Sequence, residues 1–158
     1  MAKRRKSRSW RDKLEDPKDL PKVIEIPEKM KKKLGEGTMV IPTPKEVDEI
    51  MRSVPRGKLI TINRIREKLA KKHDTTTSCP ITTGIFAWIA AHAAKEAEES
   101  GEKDVTPYWR TLKAGGVINE KYPGGVEEIK KLLEKEGFEV IKKGKRYIVK
   151  DYERFMVD

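Results

Sequence analysis

The chain has 158 residues, 39% of them charged and 36% hydrophobic, and it carries a formal net charge of +10. That length suits one modest domain with extensions, and no apolar run approaches the roughly 18 residues needed to span a bilayer. A single cysteine, Cys79, excludes an internal disulfide, one Cys with two His argues against a structural zinc site, and the excess of base favours a polyanionic partner, nucleic acid before anionic membrane.

Residues 1–11 hold six bases (Lys3, Arg4, Arg5, Lys6, Arg8 and Arg11) and no acid, with Trp10 among them. Residues 12–43 contain four prolines, a triple lysine at Lys31, Lys32 and Lys33, and few large apolar side chains. Such a segment buries too little surface to offset its chain entropy. Residues 1–43 are therefore expected to form a mostly extended basic arm, with at most a short helix near Pro27 to Leu34. The arm has two readings. It is a solubilising extension, or it lies along phosphates, with Arg forks on phosphate oxygens and Trp10 on a base or in a groove.

From Pro44 the pattern changes. Val47, Ile50, Met51 and Val54 recur at i, i+3, i+4 and i+7, an amphipathic helix begun by Pro44 and ended by Pro55 and Gly57. Thr61 is a plausible N-cap for a second helix with the stripe Ile62, Ile65 and Leu69, ending near His73. A polar turn, Asp74 to Ser78, leads to a third helix from Pro80 to about Glu99, apolar in its first half (Ile81, Ile85, Phe86, Trp88, Ile89) and Ala-rich in its second. Helix two, the turn and helix three read as a helix-turn-helix. Short extended stretches follow at Tyr108 to Leu112 and Val117 to Ile118. Gly124-Gly125 precedes a fourth helix with Val126, Ile129, Leu132 and Leu133 inward, and Phe138 to Ile141 with Tyr147 to Val149 read as a β-hairpin around a basic turn. The fold class is α+β, a winged-helix-like domain at 44–137 between the arm at 1–43 and a C-terminal hairpin and tail at 138–158.

Val54-Pro55-Arg56-Gly57-Lys58-Leu59-Ile60-Thr61 resembles the segment that opens the DNA-binding domain of alkylguanine-DNA alkyltransferases. Pro80 to Trp88, with Gly84 at the glycine of the recognition helix, resembles it too. Thr106-Pro107-Tyr108-Trp109-Arg110 falls where that family has its Pro-Cys-His-Arg motif, and Tyr122-Pro123-Gly124-Gly125-Val126, followed by Lys130 to Gly137, is similar to its closing segment. Order and spacing agree across residues 44–137. The family transfers an alkyl group to a thiolate activated by a His, water and Glu network. Here Tyr108 and Trp109 stand at the Cys and His positions, with Arg110 beside them, so the resemblance implies loss of alkyl transfer. The alkyltransferase-like proteins also lack the cysteine and bind damaged DNA, but they keep the His and an arginine finger. The resemblance sets Trp109 and Ile81 at those positions, and Ile62 at the position of a phosphate-contacting tyrosine. That weakens a lesion-capture reading.

Other residues read more plainly. Cys79 is expected to be an inert, partly buried cysteine, His73 a helix-end cation, His92 a surface or half-buried polar group, and Trp88 core. Tyr108 and Trp109 either plug the old pocket or present an aromatic edge to a partner. The Glu run in 96–102 reads as a solvated face turned away from phosphates. The absence of Gln and the abundance of Lys and Glu fit a protein from a hot environment, and cysteine usage fits a cytoplasmic one.

Four functions compete. The leading expectation is a non-catalytic, structural RNA-binding component of a ribonucleoprotein, most naturally the ribosome, whose arm threads along phosphates beside neighbouring proteins. The alternative is an alkyltransferase-like DNA binder, as lesion sensor or nonspecific duplex factor. An enzyme with a displaced nucleophile lacks the Cys-His pair, and a membrane or protein-docking module lacks a basic amphipathic helix. No cofactor, metal, membrane or small-molecule substrate is expected. The nucleic-acid contacts are expected from the arm (Lys3, Arg4, Arg5, Lys6, Arg8, Trp10, Arg11), from Lys31, Lys32 and Lys33, from Arg56 and Lys58, from Arg64 and Arg66, and from the hairpin bases Lys142, Lys143, Lys145 and Arg146.

Overall fold

The computed structural model describes residues 9–158. In chain order its elements are α1 (Trp10–Glu15), β1 (Lys22–Glu25), α2 (Glu28–Leu34), β2 (Thr38–Ile41), α3 (Pro44–Arg52), β3 (Ile60–Thr61), α4 (Ile62–Lys72), β4 (Thr77–Ser78), α5 (Pro80–Glu99), β5 (Thr111–Leu112), α6 (Gly125–Lys135), β6 (Val140–Lys143) and β7 (Arg146–Val149). Short 3-10 turns at Tyr108–Arg110, Ala114–Gly116 and Tyr152–Phe155 complete the chain. The class is α+β, built around a helix-turn-helix.

Local chemistry starts each central helix. Thr43 and Glu46 form a reciprocal capping box for α3, with Pro44 in its first turn. The Thr61 hydroxyl accepts the Arg64 N–H at the head of α4, and Pro80 opens α5. Val47 and Met51 of α3, Ile65 and Leu69 of α4, and Phe86, Ala87, Ala90 and Ala94 of α5 meet in one core. The alanines let α3 and α1 approach α5 closely. In the turn between α4 and α5, Arg66 donates to the Ser78 carbonyl at 3.0 Å and to the Thr77 hydroxyl at 3.1 Å.

Residues 9–43 correct the expectation of an extended arm. β1 and β2 pair antiparallel, and β2 pairs in parallel with β4 inside the helix-turn-helix turn. Ile26, Met39 and Cys79 are buried together there, flanked by Ile24, Met30, Leu34 and Ile41. Ile24, Ile26, Met39, Val40 and Ile41 stand among prolines and lysines, and the strand that completes their sheet, β4, lies within the helix-turn-helix itself. The short helix expected near Pro27 to Leu34 is present as α2. Lys3, Arg4, Arg5, Lys6 and Arg8 lie outside the described residues.

The C-terminal half follows the expected order with one local difference. Tyr108–Arg110 is a 3-10 turn rather than an extended stretch, and only Thr111–Leu112 pairs with β3. β6 and β7 form the expected hairpin, in register from Val140↔Val149 to Lys143↔Arg146. The Ile118 N–H donates to the Tyr147 carbonyl at 2.8 Å, which joins the hairpin to the loop after α5. Gly116 sits at φ +79°, and a Cβ there would lie 2.4 Å from the Tyr152 ring, so the C-terminal turn closes on a position that requires glycine.

Candidate nucleic-acid interface

The second helix of the helix-turn-helix, α5, is apolar on two opposite sides. Thr83, Phe86, Ala87, Ala90, Ala94 and Ala97 face the core. Ile81, Ile85, Trp88 and His92 recur at i, i+4, i+7 and i+11 on the opposite side. Together with Gly84, Lys113, Asn119 and Lys121 they line an open groove of about 770 Å³. Ile81 is 64% exposed and Ile85 46%. No acidic residue is among those that line it. Sequence reasoning counted these isoleucines with Phe86, Trp88 and Ile89 as one apolar half of the helix, and read Trp88 as core. The missed signal is their spacing, which cannot share one helix face with Phe86, Ala87 and Ala90.

The wall opposite α5 is the loop from Lys113 to Lys121. Its carbonyl at Lys121 accepts from Trp88 Nε1 at 3.2 Å, and His92 Nε2 lies 3.2 Å from the same oxygen. Asn119 Oδ1 accepts the Lys121 N–H at 3.0 Å. Lys113 pairs with Glu120 at 3.0 Å on the exposed side. A smaller depression of about 210 Å³ adjoins the groove and shares Gly84, Lys113 and Asn119 with it, with Ile62, Leu112 and Tyr122 behind. Lys113 also borders a cleft of about 450 Å³ whose far side is Lys145, Arg146 and Tyr147 of the hairpin. Two of the expected hairpin bases therefore lie on a surface continuous with the groove.

Other expected contacts are placed differently. Trp10 is not free to stack on a base. Its ring stacks on His92 at 4.5 Å and meets Trp88 edge-on at 4.7 Å, with Lys13 Nζ over it at 4.3 Å. The Trp10 and Arg11 N–H groups both donate to Glu96, and Arg11 pairs with Glu102 at 2.5 Å. Part of the Glu run read as a solvated face therefore docks α1. Arg66 is used inside the turn, and Arg56 donates to the Lys135 carbonyl at 2.9 Å. Arg64 pairs with Glu67 at 3.1 Å, and Lys31 pairs with Glu28. Lys32, Lys33, Lys58, Lys142 and Lys143 are exposed but do not line the groove.

The stretch that resembles a lost active site is closed. Tyr108 is 1% exposed, edge-on to Trp109 at 5.4 Å and to Tyr122 at 6.3 Å. Burial, with Glu98 and Glu128 in its surroundings, pushes the Tyr108 phenol up to about 12. Glu136, at the end of α6, accepts from Trp109 Nε1 at 2.5 Å, from Arg110 Nε at 2.9 Å and from the Gly57 N–H at 2.8 Å. Arg110 also donates to the Val54 carbonyl at 2.7 Å. Of the two readings left open by sequence, Tyr108 is core, and Trp109 is half-buried and tied down. Cys79 is buried as expected, at the N-cap of α5. His73 caps α4 and bonds Glu46, while His92 is half-buried. Among the described residues no cluster of His, Cys, Asp and Glu could hold a metal ion, and no helix is long and apolar enough to cross a membrane.

No family model and no curated protein matches the chain. Two solved structures do. One is S. pombe Atl1 in complex with damaged DNA containing O6-carboxymethylguanine, 18% identical, covering 73% of this chain and 94% of its own, at a TM-score of 0.47. The other is S. pombe ATL in complex with DNA, 20% identical over the same shares, at a TM-score of 0.52. At this identity the second likeness establishes the fold: this chain has the α+β helix-turn-helix architecture of an alkyltransferase-like protein.

Proposed function

We propose that this chain is a non-catalytic protein that binds duplex DNA through the outer face of α5. The observation that carries the reading is the groove itself. The second helix of the helix-turn-helix presents an open groove with no carboxylate in its lining, edged by Lys113 and Lys121 and joined, past Glu120, to Lys145 and Arg146. A polyanion meets phosphate-binding cations there, and small Gly84, near the start of the helix between Ile81 and Ile85, allows close approach. The structure that shares the fold was determined with DNA, which favours the DNA reading over the ribonucleoprotein expected first from sequence. A ribosomal role has no support in either the fold or the comparisons.

The absence of catalysis rests on chemistry. On the alignment read from sequence, Tyr108 stands at the acceptor position. A buried phenol held near 12 is not ionised at neutral pH and is a poor acceptor of an alkyl group. Capture of an alkylated base is not part of the proposal, because Ile81 and Ile62 stand where the family's reading residues would be.

The test is titration of the purified full chain with a fluorescent duplex DNA and with an RNA hairpin of equal length at one salt concentration. The duplex is expected to bind more tightly. The double charge reversal Lys113→Glu with Lys121→Glu should weaken it by about tenfold or more, the scale of a few lost phosphate contacts. Tighter binding of the RNA, or indifference to the reversal, would return the ribonucleoprotein reading to first place.

A further inference from the structure

The outer stripe of α5 is only half covered. Trp10 lies against Trp88 and His92. One turn further towards the helix start, Ile81 and Ile85 stand 64% and 46% exposed, and a Cβ built on Gly84 between them would meet no atom within 4 Å. Two adjacent branched aliphatic side chains left in water mark a contact surface. What they contact must also suit the rim. Lys113 and Lys121 edge the groove, its lining holds no carboxylate, and the chain carries +10 overall. The Glu120 partner of Lys113 is half exposed, and such a pair yields readily to a phosphate. The occupant is therefore anionic outside and apolar within. Duplex DNA has both properties, and proteins that kink it do so with aliphatic side chains driven between base steps. An apolar segment of a protein partner would fill the isoleucines and leave the lysines with nothing to neutralise.

We propose that Ile81 and Ile85 form a wedge that enters the duplex between base pairs, so that the chain selects DNA whose stacking is already weak, such as a mismatched pair. This deepens the duplex-binding reading and rests on it. The selection is mechanical. Unstacking costs least where pairing is defective, and flexible pyrimidine–purine steps come next. No chemical modification of a base is required.

The experiment compares three labelled duplexes of one sequence: fully paired, with a central mismatch, and with a central O6-alkylguanine paired normally. A 2-aminopurine beside the central pair reports unstacking. The wild-type chain should bind the mismatched duplex about tenfold more tightly than the paired one and brighten the reporter. The double variant Ile81→Ala with Ile85→Ala stays folded, because both positions are exposed and Ala favours helix, and its ratio of mismatched to paired affinity should fall from about tenfold to near one, with loss of the reporter signal, whatever the change in absolute affinity. A mismatch preference that survives in the variant, a silent reporter, or a preference confined to the alkylated duplex would overturn the wedge and leave duplex binding intact. Failure of the folded wild-type chain to bind any of the three would overturn the duplex-binding reading itself, and loss of self-association or of protein binding in the same variant would assign the stripe to a protein partner instead.

Discussion

Glu136 collects three donors from two segments: Gly57 in the turn before α4, and Trp109 and Arg110 after α5. Its side chain is 2% exposed and that of Arg110 13%, so the pair sits where water cannot replace either partner. Removing one member of a buried pair leaves the other charge uncompensated, which costs about 3 kcal/mol or more. Glu136→Ala should therefore lower the unfolding free energy by that order in urea titration, and the loss should exceed that of Arg64→Ala, whose ion pair is exposed. Equal losses would mean the clamp contributes no more than a surface pair. Glu46 makes a different claim, about pH. Burial alone would raise its carboxyl, but hydrogen bonds from Lys72, the Thr43 N–H and His73 outweigh burial and hold it at about 2 rather than 4.5. A depressed carboxyl stabilises the fold above its unfolded value and loses that contribution as pH falls through the folded one. Wild-type stability should fall between pH 4.5 and 2 by more than that of Glu46→Gln, with the two converging near pH 2. Asp48 acts in the opposite sense. Burial raises its carboxyl against hydrogen bonding from Thr106 and the charge of Arg52, so protonation relieves rather than costs. Parallel pH profiles for wild type and the Glu46 variant would remove Glu46 as the source of acid lability.

At the scale of elements, α1 is the test of what anchors the N-terminal segment. Six residues do not hold a helix alone. Three contacts do it here: the Ser9 hydroxyl accepting the Asp12 N–H, the Glu96 carboxylate accepting from Trp10 and Arg11, and the Trp10 ring between Trp88 and His92. Trp10→Ala removes the largest of these and should cost about 2 kcal/mol, less than a fully buried tryptophan because Trp10 is half exposed. Limited trypsin digestion should then cut first at Arg11 and Lys13 while the remainder stays folded. Unchanged cleavage would mean that Glu96 suffices. The same element shows where the sequence was readable and where it was not. α3, α4, α5 and the β6–β7 hairpin are written locally, in Thr43, Thr61 and Pro80 as helix starts and in residues spaced one turn or one alternation apart. α1 and the β1–β2 pair depend on partners far along the chain. Glu96 lies 86 residues beyond Trp10, and Thr38 exchanges hydrogen bonds with Thr76. No pattern inside residues 9–43 announces such partners. The groove was hidden for another reason: α5 is apolar on two sides, and a count of hydrophobic residues merges them.

Charge is a property of the whole molecule, and it is unevenly held. Residues 1–8 supply five of the ten net positive charges. The chain leaves that segment at Ser9, beside the His92 end of the α5 groove, because Trp10 is clasped there. If the groove binds DNA as proposed, the five bases that precede Ser9 add charge of the sign phosphates attract, and each phosphate neutralised on duplex DNA steepens the fall of affinity with salt by about 0.9 in log–log slope. Deleting residues 1–8, and stopping before Ser9 so that the α1 cap and the Trp10 clasp survive, should flatten that slope by about 2 to 4. The mismatch preference assigned to Ile81 and Ile85 should not change, because phosphate contacts add affinity without reading the stack. The reversal Lys113→Glu with Lys121→Glu should lower affinity in the full-length and shortened chains alike, since it acts within the groove. A shortened chain with an unaltered slope would mean that these five charges meet no phosphate. The root of the segment also lies near Glu96 and Glu102, and charges held back by those carboxylates would serve solubility alone.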